Sequence, residues 1–223
     1  MKKPYLCSNL NKTIMSSIIK HYNRSRRPNG FWGKRALKVM NSKQHEAMPT
    51  WALAFVEACE DSRVLDVGCG GGANIARLLE KFPKSIVTGM DVSPLALDKS
   101  RDLNYHAVVD GRCFIIGGNA VQMPLAKETF DMVTSFETIY YWPSLLSGAN
   151  EAFRILKPGG TWVIANELDG LQESDRALER ATGIMRVYSI NEITQDLAEA
   201  GFTDITTHHD EERHFVCVIG HKP

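Results

Sequence analysis

The stretch Arg63-Val64-Leu65-Asp66-Val67-Gly68-Cys69-Gly70-Gly71-Gly72 decides the fold of this chain. Its first half is a short apolar run that predicts a β-strand, and its second half is a turn with four glycines in five residues. Residues 73–82 follow with the apolar spacing of an amphipathic helix. Glycine allows positive φ angles, and the free N–H groups that open a helix favour an anion. The stretch therefore predicts a strand–turn–helix cradle for a ligand.

Two kinds of ligand are compatible with this cradle, and a tight turn without a ligand is the third alternative. Gly68, Gly70 and Ala73 satisfy the Gly-x-Gly-x-x-Gly/Ala spacing of dinucleotide-binding folds. Asp66 stands two residues before the first glycine, at the end of the predicted strand. A buried carboxylate there would repel a pyrophosphate, whereas a cationic ligand or the N–H groups of the turn would stabilise it. Asp66 therefore favours the cationic ligand.

Three further segments follow the glycine-rich stretch along the chain: Gly89-Met90-Asp91-Val92-Ser93, Gly117-Gly118-Asn119-Ala120-Val121-Gln122-Met123-Pro124-Leu125, and Glu151-Ala152-Phe153-Arg154-Ile155-Leu156-Lys157-Pro158-Gly159-Gly160. In order and spacing, the four segments resemble the motifs of class I S-adenosylmethionine-dependent methyltransferases. In the third segment Asn119 stands where the family pattern Gly-Asp-Ala-x-x-Leu-Pro-Phe has Asp. The nearest group in the family contains the ubiquinone and menaquinone biosynthesis methyltransferases and many small-molecule enzymes.

The alternation of strands and helices after Arg63 predicts an α/β fold with a mostly parallel sheet. Together with the resemblance it predicts a Rossmann-like, doubly wound sheet of seven strands, with helices on both faces and an antiparallel C-terminal hairpin. Among the predicted helices are 50–59, 144–156 and one opened by the capping box Ser189-Ile190-Asn191-Glu192. The predicted strands are residues 64–67, 86–90, 113–116, 130–136, 161–165, 203–208 and 214–220.

We divide the chain into an N-terminal helical cap or lid, residues 1–48, and a methyltransferase domain, residues 49–223. The cap is predicted to contain an apolar-faced helix over residues 10–22 and a second helix that ends near Met40. The polar stretch 167–188 is predicted to be an insertion that forms a lid over the substrate, because long insertions at strand ends are usually functional.

Composition sets the protein class and leaves the partner open. A chain of 223 residues with 43% apolar and 23% charged residues predicts a soluble globular domain, and no apolar run approaches the about 18 residues that span a bilayer. Five scattered cysteines argue against a zinc site or a disulfide framework, so we expect no metal and a cytoplasmic location. The first fifty residues carry eleven Lys or Arg and one acidic residue. This asymmetry fits a basic cap docked on an acidic body, or an anionic partner.

The resemblance implies S-adenosylmethionine as cofactor, S-adenosylhomocysteine as product, and in-line SN2 transfer of the methyl group. Asp91 is expected to accept the ribose hydroxyls, with capping of the next helix as the alternative. Asn119 and Ala120 are expected to contact the adenine. The full set of predicted cofactor-binding residues is Asp66, Gly68, Cys69, Gly70, Asp91, Val92, Asn119, Ala120, Phe136 and Glu137.

Glu137, just after the fourth strand, is the candidate catalytic base, and it could instead bind the ammonium group of the cofactor or contact the substrate. Tyr140, Tyr141 and Trp142 follow Glu137 closely in the sequence. Aromatic side chains suit a sulfonium cation or a flat substrate, and core packing is the alternative role of these three residues. His45, in the predicted cap, is a second candidate base, although a lone histidine is more often a packing or surface residue. The predicted substrate-binding and lid residues are Phe31, Trp32, His45, Tyr140, Tyr141 and Trp142.

The predicted function is methyl transfer to a small-molecule acceptor. A nucleic-acid methyltransferase that uses the basic N-terminal region is an alternative, although the chain lacks the Asn/Asp-Pro-Pro-Tyr/Phe motif of enzymes that methylate flipped bases. A non-catalytic S-adenosylmethionine-binding protein is another alternative. An enzyme that contacts a membrane surface through the predicted helix at residues 10–22 is a further one.

Overall fold

The computed structural model describes residues 19–20, 26–42, 45–57 and 61–223. The predicted helix at residues 10–22 lies outside these ranges except for residues 19 and 20, which are helical. Cys59, the predicted end of the 50–59 helix, also lies outside them.

Seven described strands form one sheet in the order β3-β2-β1-β4-β5-β7-β6. The pairs among β1 to β5 are parallel, whereas β7 pairs antiparallel with both β5 and β6. The predicted mostly parallel sheet with an antiparallel C-terminal hairpin is therefore confirmed. The strands are β1 (Arg63–Val67), β2 (Ile86–Asp91), β3 (Cys113–Gly117), β4 (Phe130–Phe136), β5 (Leu156–Asn166), β6 (Thr203–Asp210) and β7 (Phe215–His221).

Helices cover both faces of the sheet. On one face α2 and α3 bury their apolar side chains, and on the other face α6 and α8 do so. A 3-10 turn, Ile139–Tyr141, follows β4. The helices are α1 (Gly30–Met40), α2 (Ala47–Leu53), α3 (Ala73–Lys81), α4 (Pro94–Leu103), α5 (Tyr105–Val109), α6 (Leu145–Ile155), α7 (Glu173–Thr182) and α8 (Ile190–Glu199).

Helix starts follow the local sequence closely. The predicted capping box forms at α8, where the Ser189 hydroxyl accepts from the Glu192 N–H and the Glu192 carboxylate accepts from the Ser189 N–H. At α4 the Ser93 hydroxyl accepts from the Ala96 N–H at 3.3 Å, and Pro94 is the first helical residue. These starts were predictable because a cap depends on residues within one turn.

Several predicted boundaries are wrong where contacts with distant residues decide them. Strand β5 begins at Leu156 rather than at residue 161, because the Gly159 N–H and the Gly160 carbonyl pair with Lys222. Gly159 adopts a positive φ of 76° in this irregular stretch, so Pro158-Gly159-Gly160 does more than stop the preceding helix. Helix α2 begins three residues earlier than predicted and ends at Leu53. Strand β6 ends two residues later than predicted, and β7 both begins and ends one residue later than predicted.

Candidate functional site

A cavity of about 570 Å³ opens at the carboxyl ends of β1, β2 and β4. This is the edge at which open α/β sheets bind ligands, and the volume is ordinary for a small-molecule site. We call it the main cavity. Its walls are Arg26, Arg27, Pro28, Met40, Val67, Gly68, Gly70, Met90, Asp91, Val92, Gly118, Asn119, Ala120, Phe136, Glu137, Thr138, Tyr141, Trp142 and Pro143.

The glycine turn between β1 and α3 has the conformation that its sequence predicts. Gly68, Gly70 and Gly72 have φ angles of 78°, 52° and 84°, in the region that favours glycine. The N–H groups of Gly68 and Cys69 both donate to the Met90 carbonyl, at 2.7 and 3.0 Å. A Cβ on Gly68 would lie 2.1 Å from the Thr138 hydroxyl oxygen. The turn is therefore held between the ends of β2 and β4, with its backbone on the cavity.

Asp91 connects the glycine turn to the start of α4. Its Oδ2 accepts from the Gly70 N–H at 3.0 Å, and its Oδ1 accepts from the Ser93 N–H at 2.8 Å. Burial raises the pKa of Asp91 despite these hydrogen bonds. Ser93, not Asp91, is the N-cap of α4, so capping alone does not account for a carboxylate on the cavity wall. Its carboxylate oxygens keep lone pairs that can accept from ligand hydroxyls.

Asp66 lies beneath the glycine turn and lines neither described cavity. The Thr134 hydroxyl donates to its Oδ1 at 2.9 Å, and among the described residues its Oδ2 has no hydrogen-bond partner. Burial, reinforced by the nearby charge of Asp91, raises the pKa of Asp66 to about 7. Direct contact between Asp66 and a ligand stays a prediction.

Asn119, which departs from the family pattern, reaches the cavity wall with Ala120 and Val92. Its side-chain oxygen accepts from the Val121 N–H at 3.2 Å, which stabilises the local turn. The same oxygen has a second lone pair for a ligand donor.

Glu137 is held in an unusual conformation where β4 ends. Its φ is 58°, which costs a non-glycine residue about 1–3 kcal/mol and is retained only where the surroundings enforce it. Its N–H donates to the Ala165 carbonyl at 3.0 Å. Its Oε1 accepts from the Tyr140 hydroxyl at 3.0 Å and from the Glu167 N–H. The carboxylate is thereby fixed on the cavity wall.

A second, smaller cavity of about 100 Å³ adjoins the main one. Here the imidazole Nδ1 of His45 lies 3.6 Å from the Glu167 Oε1. The walls are Met40, Asn41, His45, Pro49, Gly68, Cys69, Gly70, Gly71, Ala73, Asn74, Phe136, Glu137, Tyr140, Tyr141 and Glu167.

The loop after β5 presents Glu167 to this second cavity and is anchored on both sides. The Leu168 N–H donates to the Tyr140 hydroxyl at 3.1 Å. The buried Asp169 carboxylate contacts His214 Nδ1 at 2.9 Å and His209 Nε2 at 3.2 Å. Residues 167–188 also carry α7, whose Leu178 packs with Tyr140. A lid role for this stretch stays a prediction.

The structure brings most of the predicted site residues together. Cys69, His45 and Tyr140 line the second cavity only. Trp142 and Tyr140 are also largely buried, and Trp142 stacks on Trp162 with ring centroids 6.1 Å apart, so core packing is part of their role. The residues on the main cavity are Gly68, Gly70, Asp91, Val92, Asn119, Ala120, Phe136, Glu137, Tyr141 and Trp142.

Phe31 and Trp32 are not brought to either described cavity. They lie on α1 with 74% and 54% of their surface exposed. Conversely, sequence reasoning missed Arg26, Arg27 and Glu167. Glu167 could have been found, because it directly follows a parallel strand and so lies at the ligand edge. The two arginines lie just before α1, and no local pattern in the sequence indicates which part of the sheet this segment contacts.

The described ranges contain no group of three or more His, Cys, Asp or Glu side chains placed to hold a metal ion. No helix there has the length and apolar character needed to cross a bilayer. Cys69, Cys113 and Cys217 are free and buried, and burial raises the pKa of each thiol.

Comparison with known proteins identifies relatives of this chain. The family description "Methyltransferase domain" matches residues 65–164. The 27-O-demethylrifamycin SV methyltransferase of Amycolatopsis mediterranei is 30% identical over 145 residues, which is 62% of this chain and 53% of that protein. The sterol 24-C-methyltransferase erg-4 of Neurospora crassa is 29% identical over 161 residues, which is 68% of this chain and 42% of that protein.

The fold is also shared with a solved structure. The crystal structure of a SAM-dependent methyltransferase from Aquifex aeolicus superposes with a TM-score of 0.71 at 19% identity, over 84% of this chain and 97% of that one. At such identity the likeness shows the fold alone. The chain spans about half the length of the curated relatives it matches.

Proposed function

Because the chain belongs to the class I S-adenosylmethionine-dependent methyltransferases, we propose that it transfers a methyl group to a small-molecule acceptor. One observation carries this proposal. A single cavity holds two groups of residues. Asp91, the carboxylate beside the glycine turn, lies at one end, and the fixed carboxylate of Glu137 lies at the other with the aromatic side chains of Tyr141 and Trp142. The first group suits a nucleoside, and the second suits a cation and an acceptor.

The residues of the main cavity fit S-adenosylmethionine in volume and in chemistry. When bound, this cofactor supplies an activated methyl group on a sulfonium. Asp91 would hold the ribose, and Asn119 and Ala120 would hold the adenine. The glycine turn places Gly68 and Gly70 on the cavity wall, where their backbone can meet the ligand. The protein's remaining task is to align an acceptor nucleophile and exclude water.

Glu137 would either orient the cofactor or accept a proton from the acceptor. Its carboxylate already accepts from the Tyr140 hydroxyl and the Glu167 N–H, which fixes its position. A base is needed only when the nucleophile is a weakly acidic hydroxyl or carbon.

The relatives and the cavity wall both support a small-molecule acceptor. The similar proteins are named for a rifamycin and for sterols, which are small molecules. Arg26 and Arg27 on the wall suit an acceptor that carries an anionic or hydrogen-bond-accepting group. A cytoplasmic location stays a prediction.

Calorimetric titration tests the proposed cofactor directly. We expect the wild-type protein to bind S-adenosylmethionine and S-adenosylhomocysteine and not NADH. Asp91→Ala should weaken both adenosyl ligands at least tenfold, because it removes the hydroxyl acceptor and the support of the Gly70 N–H. Asp98→Ala is the matched control. Asp98 lies on α4, its carboxylate is exposed, and it forms an ion pair with Arg101 at 3.2 Å.

Transfer of labelled methyl to a panel of small molecules then tests the reaction. Binding of NADH instead of the adenosyl ligands, or of none of the three, would overturn the proposed function. Binding without transfer to any acceptor would favour the non-catalytic alternative.

A further inference from the structure

Helix α1 packs one side against the protein and presents the other to solvent. Its buried residues are Gly33, Ala36 and Leu37, and this spacing places them on one side of the helix. At Gly33 the packing is close, since a Cβ there would lie 2.8 Å from the Pro28 carbonyl carbon. The segment before the helix is fixed as well, because the Ser93 hydroxyl at the start of α4 donates to the Pro28 carbonyl at 2.6 Å. The outer side of α1 is therefore held in a defined position.

This outer side combines large apolar side chains with cations. Phe31 is the most exposed of the apolar residues there, with 74% of its surface in contact with solvent. Amphipathic helices of this kind carry their cations beside the apolar side chains that they expose. We call the exposed residues the α1 face, and they are Phe31, Trp32, Lys34, Arg35, Lys38 and Val39.

The charge on the α1 face has one sign. Residues 26–42 contain five Lys or Arg and no acidic residue. Helix α4, which packs beside α1, carries exposed carboxylates, but Asp98 pairs with Arg101 and Asp102 pairs with Lys99 of the same helix. These carboxylates therefore do not neutralise the cations of the α1 face, and an external partner with negative charge complements it.

The apolar residues indicate which kind of anionic partner fits. Single-stranded RNA would use aromatic rings as platforms on which bases stack. Phe31 and Trp32 instead pack edge to face, with ring centroids 5.4 Å apart and an interplanar angle of 79°, and Val39 has no ring. A lipid surface needs no parallel rings, because it takes apolar side chains at the acyl boundary while Lys and Arg reach the phosphates. The α1 face therefore fits an anionic bilayer better than RNA.

We propose that the α1 face binds the surface of a bilayer that contains anionic lipids. Phe31, Trp32 and Val39 enter the interface, and the cations of the face contact lipid phosphates. The proposal goes beyond the proposed function, since it requires neither the cofactor nor the reaction. Arg27, just before α1, and Met40, at its end, line the main cavity. Binding through α1 therefore holds the main cavity next to the lipid surface.

Co-sedimentation of the full chain with lipid vesicles tests this surface. We expect vesicles of phosphatidylcholine with about 30% phosphatidylserine to bind the wild-type protein about tenfold more tightly than pure phosphatidylcholine vesicles. Phe31→Gln should weaken binding to the serine-containing vesicles about fivefold or more, because it removes the most exposed apolar side chain of the face. Lys38→Gln should weaken it about threefold or more, because one phosphate contact is lost.

Matched variants elsewhere on the surface provide the controls. Phe114→Gln on β3 and Lys127→Gln before β4 change exposed residues of the same types and should leave the vesicle affinity unchanged. Every variant retains the basic residues that precede Arg26, so a difference between variants reports on α1. Circular dichroism shows whether each variant is folded, and if one α1 variant fails to fold, the other decides.

Three results would overturn the proposal. The first is that the wild-type protein does not bind the serine-containing vesicles. The second is that a folded α1 variant binds them as tightly as the wild type, because charge outside α1 then accounts for the binding. The third is tighter binding of the wild type to a single-stranded RNA oligonucleotide than to vesicles, lost in both α1 variants, which would identify RNA as the partner. None of these results affects the proposed function, which calorimetry with the adenosyl ligands tests separately.

Discussion

At the scale of single residues, Asp66 shows how burial couples the titration of a carboxyl group to folding. Only 1% of its surface is exposed, and its pKa is raised to about 7, chiefly by burial. The folded protein therefore holds a proton on Asp66 at pH values where the unfolded chain has released it. The native state is favoured most below the ordinary aspartate pKa, and that advantage is lost as the pH rises to about 7.

Replacing Asp66 with Asn should remove this pH dependence. Relative to wild type, the free energy of unfolding of the Asp66→Asn variant should rise between pH 4 and pH 7 by about 4 kcal/mol at most, from about three pKa units. Thermal unfolding of both proteins across this range measures it. Asp131→Asn is the contrasting control. Burial of Asp131 is outweighed by hydrogen bonds from the Arg63 N–H and Lys157, which lower its pKa, so its contribution to stability changes below the ordinary aspartate pKa and should stay nearly constant between about pH 4 and pH 7. A difference for Asp66→Asn that does not change with pH would contradict the argument.

At the scale of elements, the contact between the glycine turn and the segment after β4 sets the shape of the site. Gly68→Ala combines a positive φ of 78° with a Cβ only 2.1 Å from the Thr138 hydroxyl oxygen. We expect a loss of about 3 kcal/mol or more in the free energy of unfolding and loss of S-adenosylhomocysteine binding, because turn and β4 must separate. Urea denaturation and calorimetry measure the two effects.

Gly111→Ala isolates the conformational part of this cost. Gly111 has a similar φ of 72°, but a Cβ there would meet nothing within 4 Å. This control should lose about 1 kcal/mol and keep the ligand affinity. Equal losses for the two variants would show that contact with Thr138 is not what constrains the turn.

At the scale of the whole molecule, the last strand of the chain lies inside the sheet and β3 lies at its edge. Strand β7 is inserted between β5 and β6, and Val218 has no exposed surface, whereas Phe114 on β3 is 51% exposed. Val218→Lys should therefore lose more than about 4 kcal/mol or prevent folding, because an unpaired charge would be buried. Phe114→Lys should change stability by about 1 kcal/mol or less. Circular dichroism and denaturant titration compare them, and similar stability of the two variants would contradict the position of β7.

How far the sequence predicted this protein depended on the range of the interactions involved. The strand–turn–helix of residues 63–81 and the capping box at Ser189 formed as predicted, since both depend on near neighbours. The predicted start of β5 was wrong, because it depends on pairing between Gly160 and Lys222, which lies 62 positions further along the chain. The exposure of Phe31 and Trp32 could not be predicted either, because the sequence shows an aromatic pair but not whether another part of the protein covers it.

The sequence by itself determined the class of the fold, the strand ends that carry Gly68, Asp91 and Glu137, and the resemblance to methyltransferases. Those features follow from apolar periodicity and from backbone requirements that a few adjacent residues satisfy. Only the tertiary structure decided that His45 meets Glu167 beside the glycine turn, and that Asp66 is buried with a raised pKa. Such contacts depend on how the segment around His45 and the loop after β5 pack on the sheet, and that packing joins residues far apart in the chain.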